Sequence, residues 1–420
     1  MLVEFNIKNY RSIKETQKLS LVATTDTSHQ NTNCIPSGTS STLQLLRAAV
    51  IYGANASGKS NLISALAFMR SMVEISASGI REGQALNVSA FRFDHETTNQ
   101  SSEFEITFIE NNIRYQYGFA LNASRVTKEW LFAAVSSKPQ RWFERNYDNK
   151  KGEDHWAFGS YFAGGKMQHD LWKNSTRANA LFLSTAVNLN NEQLRPIYSW
   201  FVNKLLVIES NVPLNPLYTM NCVRNNLNKQ EIIEFLQSAD LGITDVQVQT
   251  QKSQQFRLHL EPGAVAIENQ EEVDIPLAIL FHQGKKENIG FNLHEESHGT
   301  QRLFAYAGPF LDILRDGKTL IVDELDSGLH PKMVKFLVSL IQNTNLNKNN
   351  AQLIFSTHNT SLLDIDYFRR DQIWFMEKDK EQASNLYPLT DFSPRKNEAL
   401  EKGYLIGRYG ALPYLGEFNL

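Results

Sequence analysis

The sequence predicts an α/β fold with an antiparallel β subdomain and a mainly helical insertion. Apolar strands alternate with amphipathic helices in the last third of the chain, which is typical of a parallel sheet. Residues 91–135 contain three strand-like runs, two of them joined by a short Asn-rich turn, which indicates an antiparallel meander. Residues 155–245 carry apolar side chains at three- and four-residue spacing and are predicted to be mainly helical, and strand-like runs return between 246 and 295.

The composition is that of a soluble globular protein with two or three domains. The chain has 420 residues, of which 42% are hydrophobic, and a net charge of −3, so any DNA contact would need a local basic patch. Cys34 and Cys222 show neither metal-ligand spacing nor a disulfide framework. The N-terminus lacks an apolar signal region, and no run approaches the roughly 18 apolar residues of a membrane span. We therefore expect a cytoplasmic protein that does not bind a membrane.

The octet GANASGKS at 53–60 lies between a predicted strand that ends in Val50 and Ile51 and a predicted helix. The N–H groups of such a glycine-rich turn, and those of the helix N-terminus behind it, converge on phosphate oxygens. Lys59 would reach the β- and γ-phosphates, and the Ser60 hydroxyl would be a ligand of Mg²⁺. The octet therefore predicts a nucleotide site. Its expected binding residues are Gly53, Asn55, Ala56, Ser57, Gly58, Lys59, Ser60 and Asn61.

The segment KTLIVDELDSGLHP at 318–331 predicts a second part of this site. Its apolar run is typical of a central parallel strand that is buried on both faces. Two carboxylates follow at the C-terminal edge, where open α/β sheets bind their ligands. Asp323 is placed to hold Mg²⁺ together with Ser60, and Glu324 can polarise an attacking water.

Two further segments fit an anionic ligand. LIFSTHNTSLL is an apolar strand followed by His358, whose imidazole could donate to a γ-phosphate oxygen. The other segment is HEESHGTQRLFAYAG, in which a serine, a glycine and polar neighbours begin a predicted helix. The N-terminus of this helix is expected to bind an anion. The residues alone do not place this second anion-binding helix relative to the octet.

In these motifs the chain resembles the ABC-type ATPase heads of the RecF, SMC and OLD class. It is most similar to the stand-alone AAA ATPases of bacterial anti-phage loci, of the RloA and AbiL types and the ATPase subunit of PARIS systems. The octet resembles the Walker A loop, ESHGTQR the signature motif, LIVDE the Walker B strand, LDSGLHP the D-loop and FSTHN the switch-histidine segment. FNIKNYRSIKE resembles the family's opening strand, and KGYLIGRYGALPYLGEF its C-terminal ending.

The resemblance implies ATP and Mg²⁺ as ligands and ATP hydrolysis as the reaction. It also implies that Ser297 and Gly299 of one protomer close on the γ-phosphate held by Lys59 of another, in a homodimer or a higher homo-oligomer. The sequence departs from the family in having His298 where transporter-type members have glycine, and no Q-loop glutamine can be placed. About 60 residues follow His358, too few for the Toprim nuclease domain of OLD proteins, so no nuclease activity is expected.

The expected domain plan has an N-terminal part of the head at 1–154, a helical insertion at 155–245 and a C-terminal part at 246–420. The leading interpretation is a regulatory ATPase of an anti-phage defence system that controls an effector, such as a nuclease or a toxin. The alternative is a RecF-like ATPase that binds DNA in repair or chromosome maintenance, so nucleic acid is a further possible partner. A transporter motor is the weakest hypothesis, because the sequence shows no membrane-coupling segment.

Overall fold

The computed structural model describes residues 1–39, 43–135, 138–212, 214–239, 241–261, 264–395 and 398–413. It divides the chain into two compact units. The first unit comprises Met1–Val212, Ile313–Ser327 and Leu337–Leu420, and the second comprises Pro213–Asp312 and Gly328–Phe336. Among the described residues, none of the helices combines the length and the apolar character that crossing a membrane requires.

The secondary structure consists of short strands and helices, with one pair of long strands. The strands are β1 (Leu2–Lys8), β2 (Gln17–Ser20), β3 (Cys34–Pro36), β4 (Gln44–Leu46), β5 (Ala48–Tyr52), β6 (Ser102–Glu110), β7 (Ile113–Leu121), β8 (Val126–Ala134), β9 (Gln140–Asp148), β10 (Glu153–Phe158), β11 (Leu205–Ile208), β12 (Ile243–Glu261), β13 (Ala264–Gln283), β14 (Asn288–Asn292), β15 (Thr319–Val322), β16 (Gln352–Ser356), β17 (Ile373–Lys378) and β18 (Ser384–Pro388). The helices are α1 (Gln30–Asn33), α2 (Lys59–Ile75), α3 (His95–Thr98), α4 (Lys166–Ser175), α5 (Phe182–Asn188), α6 (Arg195–Ser199), α7 (Leu217–Arg224), α8 (Lys229–Ser238), α9 (His298–Asp316), α10 (Pro331–Gln342) and α11 (Leu400–Leu405).

The first unit contains the parallel sheet that the sequence predicts. Its strand order is β11-β15-β16-β5-β17-β18, in which neighbouring strands are parallel except for the antiparallel pair β17-β18. Every residue of β5, β15 and β16 is buried, as expected for strands that are covered on both faces. β16 separates β5, which precedes the octet, from β15, which precedes the two carboxylates. The C-terminal ends of the three strands therefore lie at one edge.

The same unit contains a seven-stranded antiparallel sheet in the order β10-β9-β8-β7-β6-β1-β2. β6 and β7 are joined by Asn111 and Asn112, whose φ angles are 51° and 61°. Two positive φ angles define a type I′ turn, and asparagine tolerates this conformation better than most residues. The predicted meander is confirmed, and so is the alternation of apolar and polar residues in β1.

The core of this unit joins the two sheets through α2. One buried cluster contains Leu62, Leu66 and Met69 of α2, aromatic residues of the antiparallel sheet such as Phe104, and Ile354 of the parallel sheet. The octet therefore leads into a helix that is packed on both sides. This packing holds the N-terminus of α2 at a fixed position on the sheet edge.

Residues 155–245 contain α4 to α8 and also a strand. The sequence predicts helix through the run LLVI, but these residues form β11, which pairs with β15 in the parallel sheet. A four-residue apolar run does not distinguish a strand from a helix by periodicity, and a π-helical turn at Trp200–Lys204 ends the preceding helix. The expected boundary between residues 154 and 155 falls within β10.

The second unit is built around the long antiparallel hairpin β12-β13, to which β14 adds a third strand. α7 and α8 contact this sheet. The Thr219 hydroxyl of α7 lies against α9, where it donates to Ala305 O at 3.3 Å and accepts from the N–H of Gly308 at 3.1 Å. The strands predicted from sequence between 246 and 295 are confirmed up to Asn292. The last three residues of the predicted run, Leu293–Glu295, form a 3-10 turn instead.

Candidate functional site

A pocket of about 390 Å³ opens at the C-terminal edge of the parallel sheet. The octet supplies one wall, and the loops after β15 and β16 and the last residue of β17 supply the rest. Its lining residues are Asn55, Ala56, Ser57, Gly58, Lys59, Ser60, Asn61, Glu324, His358 and Lys378. The structure therefore brings most of the site residues that the sequence indicates around one cavity, and it adds Lys378.

The octet is a tight turn whose shape depends on its glycines. Ala56 and Gly58 have φ angles of 61° and 112°, in the left-handed region that reorients successive N–H groups. A Cβ atom on Gly53 would collide with Met376 O, and one on Gly58 would collide with Ser384 Oγ. Both glycines are therefore required by the close approach of β17 and β18 to the turn. Within the turn, the N–H of Ser57 donates to Ala54 O at 3.2 Å.

Lys59 lies within this turn and is 5% exposed. Its Nζ donates to Gly53 O at 2.8 Å and to Ala54 O at 3.1 Å. Burial lowers the pKa of Lys59, and the carboxylates that follow β15, among them Asp323, act in the opposite direction. The ammonium is held at the floor of the pocket, where it can contact phosphate oxygens.

Asp323 is 2% exposed and, unlike Glu324, does not line the pocket. Its Oδ1 accepts from the Ser356 hydroxyl at 2.6 Å, and its Oδ2 accepts from the Ser210 hydroxyl at 2.5 Å. The Ser356 Oγ also accepts from the N–H of Glu324 at 2.8 Å. Each carboxylate oxygen keeps a further lone pair, so the two serines fix the direction of the carboxylate without exhausting its capacity as a ligand.

Glu324 and His358 lie at the same side of the pocket. Glu324 has a φ angle of 52°, a conformation that costs a non-glycine residue free energy and often occurs at functional sites. His358 is exposed, and its backbone N–H donates to Asp326 Oδ2 at 3.3 Å. The two loops are thereby tied to each other beside the octet.

The residues present fit a nucleotide and a magnesium ion. The Ser57 Oγ and the Asp326 Oδ1 are buried and lack a hydrogen-bond partner within the described residues, which is unusual for polar atoms in a folded protein. The described part of the chain has no group of three or more His, Cys, Asp or Glu side chains that could hold a metal. One hydroxyl and one carboxylate, from Ser60 and Asp323, suit Mg²⁺, which otherwise takes phosphate oxygens and water as ligands.

Ser297 and Gly299 belong to the second unit. The Ser297 Oγ accepts from the N–H of Thr300 at 3.2 Å and lies 2.9 Å from the Thr300 hydroxyl, so Ser297 is the N-cap of α9. Gly299 follows in the first turn. The helix start that the sequence indicates is confirmed. The Thr300 N–H is taken by the cap, and the N–H groups of His298 and Gly299 precede it in the first turn.

Sequence reasoning missed three residues of the site. Ser356 lies in the segment that carries His358, and Ser210 follows β11, which was predicted to be helical. Lys378 is the last residue of β17 and follows the apolar run IWFM after one intervening residue, Glu377, much as the carboxylates follow β15 and His358 follows β16. A polar residue at the end of a buried strand was therefore the signal that could have identified it.

The fold and the site together define a P-loop ATPase of the AAA type. The chain belongs to the family described as "AAA domain, putative AbiEii toxin, Type IV TA system", whose sequence profile matches residues 48–364, more than half of the chain. This range contains the octet, β15 with its carboxylates, and His358. The α/β fold class predicted from sequence is confirmed, and a comparison with curated proteins found no match.

Solved structures of SMC heads are similar over most of their length. The SmcHead bound to the C-winged helix domain of ScpA has a TM-score of 0.41 and 13% identity, covering 92% of this chain and 97% of that chain. The SMC head domain from Thermotoga maritima also has a TM-score of 0.41 and 13% identity, and the match covers 92% of this chain and 98% of that chain. The Smc head domain with an extended coiled coil bound to the C-terminal domain of ScpA, derived from Pyrococcus furiosus, has a TM-score of 0.39 and 11% identity. That match covers 96% of this chain and 98% of that chain.

Proposed function

We propose that this protein is a Mg²⁺-dependent ATPase that works as a regulatory switch in a bacterial anti-phage defence system. One observation carries the proposal: Lys59, Glu324 and His358 line a single pocket around a phosphate-binding turn. Bound ATP would supply a γ-phosphate that water can attack, and bound Mg²⁺ would neutralise charge on the phosphates.

Each residue of the site has a separate task in this proposal. The N–H groups of the octet and the Lys59 ammonium bind the phosphates. Ser60 and Asp323 hold the metal ion, and Ser356 and Ser210 keep the Asp323 carboxylate in one orientation. Glu324 orients the attacking water and accepts its proton.

His358 would donate to the oxygens of the γ-phosphate, where negative charge is located. The N-terminus of α9, with Ser297 and Gly299, would contact the same phosphate from a second protomer. Two composite sites would then form across a two-fold interface, and hydrolysis would weaken the pairing. We further propose that 1–154 and 246–420 form the ATPase head and that the helical region 155–245 is available to a partner.

The proposed partner is an effector protein, such as a nuclease or a toxin. The family description names a toxin and a type IV toxin–antitoxin system, and the sequence resembles anti-phage ATPases. Both support a role in which a nucleotide-dependent change of assembly controls a second protein.

Glu324→Gln tests the proposed hydrolysis. The variant should bind ATP as the wild-type protein does, because the phosphate-binding turn is intact. Its turnover rate should fall by about 100-fold or more, because it lacks the general base. ATP binding is measured by calorimetry and hydrolysis by phosphate release with Mg²⁺. Full turnover in Glu324→Gln would reject the role of this carboxylate, and a wild-type protein that binds no ATP would reject the proposal as a whole.

A parallel measurement separates the defence proposal from RecF-like DNA binding. Duplex DNA binding by the purified protein should be absent or non-saturable at physiological salt. Tight binding that depends on ATP, with an affinity that falls steeply as salt rises, would favour the DNA-binding alternative.

A further inference from the structure

Lys378 faces the octet from the side opposite to Glu324 and His358. β5 is flanked by β16 on one side and by β17 on the other. His358 follows β16, and Glu324 follows β15 beyond it. Lys378 is the last residue of β17, and it lines the same pocket as Ser60 and Asn61.

The end of β17 is fixed to the octet by several contacts. The partner of Lys378 in β18 is Ser384, whose Oγ lies 2.7 Å from Ser57 O and 2.7 Å from Ser12 Oγ. The Nδ2 of Asn61 donates to the same Ser12 Oγ at 2.7 Å. Because β17, β18 and the octet share these hydrogen bonds, the Lys378 stem starts from a defined position beside the octet.

The Lys378 ammonium has neither a hydrogen bond nor an ion pair within the described residues. Lys14, by contrast, contacts the carboxylates of Asp94 and Glu381 at 3.0 and 2.9 Å. Lys378 is half-buried and lines the pocket, and its ammonium can donate three hydrogen bonds. A phosphate bound in this pocket would offer it an anionic acceptor and supply its counter-charge.

The position of Lys378 selects which part of the ligand it contacts. Glu324 and His358, which are assigned to the γ-phosphate, follow β15 and β16 on one side of β5, and Lys378 ends β17 on the other side. A nucleotide bound along the octet with its γ-phosphate beside Glu324 and His358 would place the phosphates that are not transferred towards β17. We propose that Lys378 binds the α-phosphate and contributes equally to the affinity for ATP and for ADP. This inference rests on the proposed nucleotide site.

The test measures the dissociation constants of ATP and ADP for Lys378→Ala and Lys378→Gln by calorimetry. Loss of one charge-assisted contact should raise both constants by about tenfold, with their ratio unchanged. Lys378→Gln keeps most of the stem and should show the same loss, whereas Lys378→Arg keeps the charge and should bind better than either. The matched control is Lys380→Ala, which removes an exposed lysine two residues away that does not line the pocket.

The outcomes distinguish a failure of the Lys378 inference from a failure of the proposed nucleotide site. If Lys59→Ala loses nucleotide binding and Lys378→Ala does not, Lys378 is no ligand and only this inference fails. A loss confined to ATP would also overturn it, because that result places Lys378 at the γ-phosphate. If the wild-type protein binds neither nucleotide, the proposed function fails together with the inference. Unchanged thermal unfolding shows that each variant is folded.

Discussion

At the scale of single residues, Ser356 links the two acidic residues of the site. Its hydroxyl donates to the Asp323 carboxylate and accepts from the Glu324 backbone, while Ser210 holds only the other oxygen of Asp323. A group that orients a metal ligand commonly affects metal affinity nearly as strongly as the ligand itself. Ser356 is thus placed as a positioning residue for both carboxylates.

Ser356→Ala should raise the Mg²⁺ concentration for half-maximal activity by about tenfold and also lower turnover, because both acidic residues lose a partner. Ser210→Ala should raise the Mg²⁺ requirement alone. ATPase rates over a Mg²⁺ titration measure both effects. Ser361→Ala is the control, since the Ser361 hydroxyl has no partner in the described part of the chain. Equal Mg²⁺ requirements in all three variants would show that the hydroxyls do not act through Asp323.

At the scale of elements, long patterns were predictable and short ones were not. The strand β1 was predictable because its alternation of apolar and polar residues extends over seven positions. The turn before β7 was predictable because asparagine is a residue that such turns favour. β11 was not predictable, since its four apolar residues acquire strand pairing only from β15, far along the chain. The candidate site followed from motifs at strand ends. Lys378 was not predicted as a site residue because β17 carries no recognised motif.

The C-terminal segment 407–413 offers a prediction about one element. A Cβ on Gly410 would lie 2.6 Å from Glu377 Oε2 and 2.7 Å from the Tyr387 hydroxyl, and its φ angle is 66°. Gly410→Ala should therefore cost about 1 kcal/mol for the left-handed backbone and about 0.5–1.5 kcal/mol more for the displaced Tyr387–Glu377 hydrogen bond. The free energy of unfolding in denaturant measures the loss.

Gly407→Ala is the matched control for this change. Gly407 also has a positive φ angle, 84°, but the nearest atom to a Cβ placed on it would be Leu412 Cδ1 at 3.8 Å. Only the backbone cost of about 1 kcal/mol should remain. Equal losses in the two variants would show that the packing of Gly410 against Glu377 contributes nothing to stability.

At the scale of the whole molecule, the proposed composite sites predict complementation between inactive variants. Lys59→Ala removes the phosphate-binding charge from one half of each site, and Gly299→Asp places a carboxylate that repels phosphate in the other half. In a mixed dimer one site carries both changes and the other carries none. ATPase activity should therefore reappear in a hetero-dimer purified after co-expression with two different tags.

A purified hetero-dimer without activity would exclude independent composite sites. Two explanations would then remain, a self-contained site in each protomer or strict coupling of the two sites. A hetero-dimer of wild-type and Lys59→Ala chains separates them, because it keeps one intact composite site. Activity near half of the wild-type value indicates a self-contained site, and no activity indicates strict coupling.

The hydroxyl contact between Ser384 and the octet has a consequence for biosynthesis. Ser57 leaves the ribosome early, but the residue that supports its backbone is made 327 residues later. Until β17 and β18 are added beside β5, the turn lacks the neighbours that give it its shape, and such distant pairings form late. A nascent chain, or a fragment left by premature termination, would therefore carry the complete octet without these contacts, and we expect it to bind nucleotide more weakly than the full chain does.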